Sequence, residues 1–505
     1  MGAARVNTVP PVTLIPDELR TVATRFPERV AIDIVDDDAM TFEMWERRSN
    51  AVARRFVDLG AQPDDRVLLL LPSAMATRFA VAYTATHQAG AVVVPVNPRY
   101  AARELEHVVR NCEPALIVTG GDQDPRARAL NLAPVVGDDE WTAAIGGDGS
   151  PVQVPRTPSD LAEILYTSGT TGLPKGVTST HESVLANDAA PLDRLLTLLH
   201  SAPLPTTFGS LGALIMPLRL GVTSLGLPRF DTGRCAALIE ERRPAWLLLV
   251  PAQILLLLES GSLEGRDTSS VRMVMFGSAP TPPYALRALA EAFPRAALVN
   301  GYGLTEGGGS TCTMPPGELL RRPGSVGKPV AGASVRIVDD GGDEVARGEI
   351  GEVAIRLAAG QRSYWNDPEA TARTWRDGWV HTGDLGYFDD DGYLYLVDRK
   401  KDMINRGGYN VYSIEVESAL YEHPDVVEAA VVGVPHDVLG QDVCAVVRLR
   451  DGVATLELDA VREFLADRLA DYKLPRRLVV REAPLPRSGT HKVDKKALLA
   501  ELVAT

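Results

Sequence analysis

Residues 66–119 have the sequence RVLLLLPSAMATRFAVAYTATHQAGAVVVPVNPRYAARELEHVVRNCEPALIVT, in which apolar runs alternate with helix-like segments. Three apolar runs have the length of strands, and the residues between them have the pattern of helices. The runs are Arg66–Leu71, Ala91–Val96 and Ala115–Thr119. Strands that are apolar on both faces and joined by helices are typical of a buried parallel sheet. This stretch therefore predicts a doubly wound α/β domain.

The alternation of apolar strands and helices returns further along the chain and is then followed by a pattern of shorter strands. Apolar strands recur at Trp246–Val250, Val271–Phe276 and Ala296–Val299. After about Pro329, shorter alternating strands among Gly/Asp turns predict a distorted antiparallel barrel. From Asp398 onward the pattern is that of a compact block with its own core. We therefore expect a large N-terminal domain of two doubly wound sheets plus the barrel, residues 1–397, and a small α+β domain, residues 403–505.

Composition excludes several classes of protein. The 505 residues are 45 % hydrophobic and 23 % charged, as in an ordinary globular protein. A net charge of −14 disfavours sequence-independent binding to nucleic acid or to anionic membranes. The four cysteines are scattered without metal-ligand spacing, and the N-terminus lacks a signal pattern. We expect a cytoplasmic protein with no zinc site, no disulfide framework and no membrane span.

The strongest local signal is the segment Tyr166–Val177, YTSGTTGLPKGV, which follows the strand-like run Ala162–Leu165. Glycines allow a ligand to approach the backbone closely, and hydroxyls with free N–H groups form an anion-binding concavity. Lys175 adds a positive charge suited to a phosphate. The spacing is not that of a Walker A loop. Taken alone, the segment predicts a phosphate-binding loop, with a flexible surface loop as the alternative.

Two further segments are expected to be loops at the carboxyl ends of parallel strands, where α/β sheets bind ligands. Gly277–Pro280 follows the strand that ends at Phe276, and Asn300–Glu306 follows the strand that ends at Val299. Tyr302 could stack on a base, and the Glu306 carboxylate could hold Mg²⁺ beside phosphates.

With these motifs together, the chain resembles an acyl-CoA synthetase of the adenylate-forming superfamily, whose relatives include aryl- and fatty-acid-CoA ligases and luciferases. The resemblance spans residue 15 to the end and rests on an ordered set of motifs: Tyr166–Val177, Gly277–Pro280, Gly301–Glu306, Thr382–Asp384, Asp398–Asp402 and Pro486–Leu498. It implies an acid–thiol ligase that uses ATP, Mg²⁺ and CoA. A carboxylic acid would form an acyl-adenylate, and CoA would then displace AMP.

The resemblance also implies roles for individual residues. Thr305 would contact the α-phosphate, Glu306 and Thr170 would hold Mg²⁺, and Asp384 with Arg399 would bind the ribose. The full set expected to bind ATP or AMP is Thr167, Ser168, Gly169, Thr170, Thr171, Lys175, Ser278, Ala279, Pro280, Asn300, Gly301, Tyr302, Gly303, Thr305, Asp384 and Arg399. The set expected to line the acyl pocket is Thr206, Thr207, Phe208, Gly209, Gly277, Gly303 and Gly308.

The C-terminal domain of this family swings between two poses, so residues 398–402 are expected to be a hinge centred on Lys401, and residues 403–505 a mobile domain. One pose would bring the catalytic Lys492 to the α-phosphate and the substrate carboxylate. The other would bring Gly407, Gly408 and Tyr409 to the CoA channel. Lys492, Thr305 and Glu306 are thus the residues expected to be catalytic.

Two departures from the family pattern leave alternatives open. Many relatives have a pocket histidine where this chain has Pro203–Phe208, PLPTTF, and most have Gly where this chain has His491 before Lys492. A strained His491 could impair adenylation. The alternatives are a ligase that runs only thioester formation from a preformed acyl-adenylate, and a non-catalytic binder of acyl-adenylate or AMP.

Other members of the superfamily fit the sequence less well. Asp398–Glu417 looks like the CoA-ligase version of this segment rather than that of a carrier-protein-loading domain, and the insertion of a fatty acyl-AMP ligase is absent from the sequence. A luciferase-like pocket is not recognisable from sequence. Small residues such as Gly209, Gly307 and Gly308 predict a roomy apolar pocket for a bulky or extended acid.

Overall fold

The computed structural model describes residues 13–37, 39–152, 154–167, 173–186, 189–357, 362–450, 452–487 and 493–504. Its helices are α1 (Ile15–Arg25), α2 (Phe42–Asp58), α3 (Ala76–Gln88), α4 (Ala102–Cys112), α5 (Asp124–Leu130), α6 (Asp138–Ile145), α7 (His181–Val184), α8 (Thr207–Gly209), α9 (Met216–Leu220), α10 (Thr232–Arg242), α11 (Pro251–Glu259), α12 (Pro283–Ala292), α13 (Pro368–Thr374), α14 (Ser413–Leu420), α15 (Leu458–Ala466) and α16 (Lys495–Ala504).

Its strands are β1 (Val30–Ile34), β2 (Met40–Thr41), β3 (Arg66–Leu70), β4 (Val92–Pro95), β5 (Leu116–Thr119), β6 (Val135–Val136), β7 (Leu161–Thr167), β8 (Lys175–Thr180), β9 (Thr197–His200), β10 (Thr223–Gly226), β11 (Trp246–Leu249), β12 (Met273–Gly277), β13 (Ala297–Leu304), β14 (Gly309–Thr313), β15 (Ser325–Pro329), β16 (Ala333–Val338), β17 (Gly351–Leu357), β18 (Trp375–Arg376), β19 (Trp379–Phe388), β20 (Leu394–Arg399), β21 (Ile404–Arg406), β22 (Tyr409–Val411), β23 (Val426–His436), β24 (Gly440–Leu449) and β25 (Arg477–Arg481).

The chain divides into two compact units, each made of several stretches of sequence. Unit one contains residues up to 248 together with 305–309 and 357–372, and unit two contains 249–304, 310–356 and 373–505. The boundaries predicted from sequence, 1–397, 398–402 and 403–505, describe functional domains and remain a prediction. Among the described residues, no helix combines the length and the apolar character that crossing a membrane requires.

Unit one has two sets of strands with the predicted α/β pattern. One sheet has the order β6-β5-β3-β4-β7-β8, parallel except where β8 runs antiparallel to β7. In the other set, β1, β10, β9 and β11 are parallel neighbours. Leu68, Val94 and Ile117 are fully buried in the first sheet, as its near-continuous apolar strands require. The α/β class predicted from residues 66–119 is confirmed.

Unit two combines parallel and antiparallel strands. β12 and β13 are parallel, and β14, β15, β20, β19 and β17 follow in that order, with antiparallel pairing from β14 onward. The alternating strands predicted after Pro329 therefore form antiparallel pairs. A separate sheet, β22-β21-β24-β23 with β25 beside β24, has its own apolar core around Val431, Ala445 and Leu465.

The predicted end of β13 was wrong. The sequence placed a loop from Asn300 onward, but the strand continues to Leu304 and the turn begins at Thr305. The reason lies in the pairing with β12, where Gly277 stands opposite Gly301. A Cβ added at Gly277 would lie 2.3 Å from the carbonyl oxygen of Gly301. Because Gly277 has no side chain, its backbone can lie this close to Gly301, and the pairing continues past Val299.

This close approach gives a stability prediction. Gly277→Ala should lower the free energy of unfolding by about 1–3 kcal/mol, because its methyl group would overlap backbone that cannot move aside cheaply. The matched control is Gly233→Ala in α10, where the nearest atom to an added Cβ is 3.5 Å away. That change should be neutral or stabilise by up to about 1 kcal/mol. Urea unfolding of both variants tests this, and equal midpoints would contradict it.

Candidate active site

The predicted phosphate loop is shorter than the motif that suggested it. Tyr166 and Thr167 end β7, and Lys175 begins β8, so the connection consists of residues 168–174. Ser168, Gly169, Thr170 and Thr171 lie outside the described residues. Thr167 and Lys175 are paired across the two strands. The pairing places the Lys175 side chain at the base of the connection, where its Nζ is 3.7 Å from Asp367 Oδ2 and 5.0 Å from the Tyr364 ring centre.

In unit one, the turn Thr305–Gly307 carries the two residues expected to contact phosphate and metal. The hydroxyls of Thr305 and Thr207 are 2.7 Å apart and share a hydrogen bond. The Tyr364 hydroxyl donates to Glu306 Oε1 at 2.8 Å. Both side chains are thus held in place by partners from other parts of unit one. Polar groups fixed in advance are what electrostatic catalysis requires.

The residues around the predicted acyl pocket show why glycine occurs there. Thr206 caps α8: its hydroxyl accepts from the Gly209 N–H at 3.0 Å and donates to the Pro203 carbonyl at 2.7 Å. A Cβ at Gly209 would lie 2.0 Å from that same carbonyl oxygen. Gly308 has φ +81° and an added Cβ would meet Leu357 and Arg362. Backbone conformation and packing therefore already explain these glycines, so they do not by themselves measure the width of a pocket.

Thr206 lies in the stretch Pro203–Phe208, where the family resemblance led us to expect a pocket histidine, and the structure gives it a local role as a helix cap. Phe208, half-buried, follows within α8, and a six-residue π-helical stretch continues from Ser210 to Ile215. Such stretches are rare and are frequent at functional sites.

In unit two, a second cluster of polar side chains surrounds Asp384. The Tyr302 hydroxyl donates to Asp384 Oδ2 at 2.8 Å, and Arg399 Nε lies 3.1 Å from Oδ1. The pairing of β19 with β20 sets Asp384 directly opposite Arg399. Burial first, and then the negative charge of Asp384, raise the pKa of Tyr302 well above its usual value. Tyr302 thus remains a neutral donor that orients the carboxylate expected to bind ribose.

The residues after β12 are more exposed to solvent than the end of the strand. Gly277 is the last, buried residue of the strand, whereas Ser278, Ala279 and Pro280 are exposed. Ser278 has φ +71°, a conformation that costs a non-glycine residue free energy and persists where its surroundings enforce it. Asn300, Gly301 and Gly303, expected in a loop, lie within β13. All of these predicted nucleotide-site residues belong to unit two.

The segments expected to move also lie in unit two. Lys401 stands in the turn after β20, and partial burial lowers its pKa, while Asp402, Asp384 and Asp494 act in the opposite direction. Gly407 and Gly408, with φ +59° and +92°, form the turn between β21 and β22. Tyr409 is 60 % exposed and stacks on Tyr472, with ring centres 4.8 Å apart. His491 and Lys492 lie outside the described residues.

Sequence reasoning missed two buried charged residues in unit one. Ala162–Leu165 was read as an apolar strand, yet Glu163 within it is only 1 % exposed. Arg362, 5 % exposed, follows the undescribed residues 358–361 and was not singled out. A glutamate inside a buried strand was the available signal, because such a charge needs a partner.

Comparison with known proteins identifies the family. The model for AMP-binding enzymes matches residues 19–365, and the model for their C-terminal domain matches residues 415–492. The chain belongs to the AMP-binding enzyme family. The resemblance inferred from the motifs is confirmed, and the enzyme class is that of AMP-forming acid–thiol ligases. ATP and CoA are substrates of this class, small carboxylic acids are what it activates, and Mg²⁺ is its general requirement.

Three similar proteins cover nearly the whole chain. A long-chain-fatty-acid–CoA ligase of Mycobacterium tuberculosis is 34 % identical, covering 96 % of this chain and 98 % of the relative. ATP-bound MatB from Rhodopseudomonas palustris has a TM-score of 0.87 at 31 % identity, covering 96 % and 98 % of the two chains. An anthranilate CoA ligase in complex with anthranoyl-AMP has a TM-score of 0.90 at 26 % identity, covering 98 % and 99 %. The mixed α/β fold predicted from sequence is confirmed.

The contact between Tyr364 and Glu306 gives a prediction on activity. Tyr364→Phe removes a hydrogen bond to a carboxylate, which is worth about 1.5–3 kcal/mol. We therefore expect pyrophosphate release to fall about 10- to 150-fold, measured at saturating acid with Mg·ATP varied.

The matched control is Tyr284→Phe. The Tyr284 hydroxyl is buried and has no hydrogen-bond partner among the described residues, so its removal should leave activity unchanged. Equal activity of the two variants would show that the Tyr364 hydroxyl does not position Glu306 for catalysis.

Proposed function

We propose that this protein activates a carboxylic acid with Mg·ATP, forming an acyl-adenylate and pyrophosphate, and then transfers the acyl group to CoA with release of AMP. The observation that carries the proposal is the turn Thr305–Gly307, whose two polar side chains are each held by a separate hydrogen bond. Adenylation moves negative charge onto phosphate oxygens, so fixed donors and cations supply most of the catalysis.

We assign the residues to steps as follows. Thr305 would donate to the α-phosphate, and Lys175 with Thr167 and residues 168–171 would hold the β- and γ-phosphates. Tyr302 would contact adenine, together with Ser278–Pro280 and Asn300–Gly303, and Asp384 with Arg399 would bind the ribose hydroxyls. Lys492 would act in adenylation, Lys401 would be the hinge, and Gly407–Tyr409 would contact CoA.

Glu306 fits the metal expected in such a reaction. Mg²⁺ is usually bound by one or two carboxylates together with substrate phosphates, and no cluster of three potential ligand side chains occurs in the part of the chain that the structure describes. Glu306 would therefore hold the ion, with Thr170 as the second expected ligand. When bound, Mg²⁺ supplies positive charge to the phosphate oxygens.

We further propose that the acid is bulky or extended. Support comes from the relatives, one named for long-chain fatty acids and one for anthranilate. The sequence offers small residues at Gly209, Gly277, Gly303 and Gly308, although packing explains several of them. A long or aromatic acid buries more apolar area than acetate and so gains more binding free energy.

The function is tested by supplying acids from acetate to long-chain and aromatic ones, each free and as its preformed adenylate, with Mg·ATP and CoA. Mass spectrometry and a pyrophosphate assay measure acyl-CoA, AMP and pyrophosphate. We expect acyl-CoA from free acids, with acetate the poorest. AMP without acyl-CoA would refute the transfer step, and the absence of pyrophosphate with every acid would refute adenylation. Acetate as the fastest acid would refute the size preference.

The loop before Lys492 gives a separate test, because His491 replaces the usual glycine. Lys492→Ala should lower pyrophosphate release at least 100-fold while thioester formation from a preformed adenylate changes little. His491→Gly should leave both half-reactions within about threefold of wild type. A wild type that makes acyl-CoA only from adenylates, with pyrophosphate release restored by His491→Gly, would establish the thioester-only alternative.

A further inference from the structure

Two opposite charges are buried in unit one, and one of them contacts the turn that carries Thr305 and Glu306. Glu163 lies in the middle of β7 and is 1 % exposed, and Arg362 is 5 % exposed. Removing such charges from water is costly unless they are compensated by partners and hydrogen bonds. Neither residue belongs to the motifs that define the nucleotide site, so their burial needs another explanation.

The surroundings of Glu163 keep its carboxylate oriented. The hydroxyl of Tyr83, from α3, donates to Glu163 Oε2 at 2.9 Å. Burial has the largest effect and raises the pKa of Glu163, and the Tyr83 hydrogen bond and the positive charge of Arg362 oppose that rise only in part. The neighbouring strand β8 places Ser179 directly opposite Glu163. The Tyr83 hydroxyl and the Arg362 charge therefore offset part of the cost of burying the Glu163 carboxylate.

Arg362 connects this strand pair to the turn. Its Nη1 donates to the Ser179 hydroxyl and to the Thr305 carbonyl oxygen, the latter at 3.4 Å. Its Nη2 lies 3.3 Å from the Ser183 carbonyl oxygen and 3.4 Å from the Ser183 hydroxyl. Burial has the largest effect and lowers the pKa of Arg362, while the charges of Glu163 and Glu306 act in the opposite direction. The guanidinium thus bonds to the backbone of the turn, and the charges of Glu163 and Glu306 offset part of the cost of burying it.

The packing leaves the guanidinium little room to move. A Cβ added at Gly308 would lie 3.0 Å from Arg362 Nη2. The residue after Arg362 is also fixed, because the Ser363 N–H donates to the Thr178 hydroxyl at 3.0 Å. Tyr364 then reaches Glu306. The segment 362–364 therefore holds the turn at two points, at the Thr305 carbonyl and at the Glu306 carboxylate.

From these contacts we propose that Arg362, with the buried Glu163 as a countercharge, is a positioning residue for adenylation: it fixes the Thr305–Glu306 turn in the orientation that the nucleotide phosphates require. The inference rests on the proposed function, because it assumes that Thr305 and Glu306 contact phosphate and metal. Lysine cannot replace arginine here, since an ammonium group lacks the planar fork that reaches several acceptors at once. Thioester formation from a finished adenylate no longer needs the β- and γ-phosphates and should depend less on this residue.

The test compares the two half-reactions in Arg362→Lys, Arg362→Met, Glu163→Gln and the double variant Arg362→Met/Glu163→Gln. For Arg362→Lys we expect pyrophosphate release to fall at least 10-fold, with a raised KM for Mg·ATP, while acyl-CoA formation from preformed adenylate stays within about threefold. Glu163→Gln should reduce pyrophosphate release about three- to tenfold. The double variant should be no worse than Arg362→Met, because residues that act as a unit are not additive.

The matched control is Arg29→Lys. Arg29 also donates to backbone carbonyls in unit one, those of Leu192 and Gly221, but lies outside the proposed machinery. It should leave the ratio of the two half-reaction rates unchanged. If Arg362→Lys behaves in the same way, or lowers both rates in parallel with the unfolding midpoint, the positioning role is overturned.

Two other outcomes are also decisive. If none of the variants at 163 and 362 unfolds cooperatively, the pair serves stability and the proposal fails. If wild type yields neither pyrophosphate nor acyl-CoA from any acid or adenylate, the proposed function itself fails. A wild type with both half-reactions and an Arg362→Lys variant with unaltered adenylation would refute the positioning role alone.

Discussion

The buried parallel sheet of unit one constrains where polar and charged side chains can lie. Strands such as β3 and β4 are apolar on both faces, so polar groups are accommodated where the strands end. Lys175, at the start of β8, follows this rule. Glu163 violates it, since it lies inside a strand, and it is accommodated by the Tyr83 hydroxyl and the positive charge of Arg362. Arg362, its countercharge, contacts the Thr305 carbonyl oxygen in the turn to which we assign phosphate and metal binding.

Each unit contains a cluster of polar side chains that is oriented before any substrate binds. In unit one, Thr305 and Glu306 are held by Thr207 and Tyr364. In unit two, Tyr302 and Arg399 each take one oxygen of Asp384. Such arrangements lower the reorganisation needed when charge develops on a phosphate. A ligase whose chemistry consists mostly of binding charged groups needs positioned donors more than a reactive nucleophile.

Glycine has several roles in this protein. At Gly277 it permits backbone contact between β12 and β13, and at Gly308 it provides a positive φ beside a buried guanidinium. Sequence alone suggested that small residues in this region enlarge an acyl pocket. Packing around these residues is a second reason why glycine occurs there. The preferred size of the acid therefore has to be measured with a series of substrates and cannot be inferred from the small residues.

The sequence by itself determined the α/β class, the order of the motifs and the family, because apolar periodicity and Gly/Ser/Thr-rich segments are local properties of the chain. It predicted that Tyr302, Glu306 and Asp384 belong to a nucleotide site and that Arg399 acts with Asp384, but not the hydroxyl partners of the two carboxylates. Tertiary structure decided that Tyr302 bonds to Asp384, that β13 extends to Leu304, and that Arg362 meets the turn after Leu304. These depend on contacts between residues 57 to 82 positions apart and on the register of β12 with β13, and neither leaves a local pattern in the sequence.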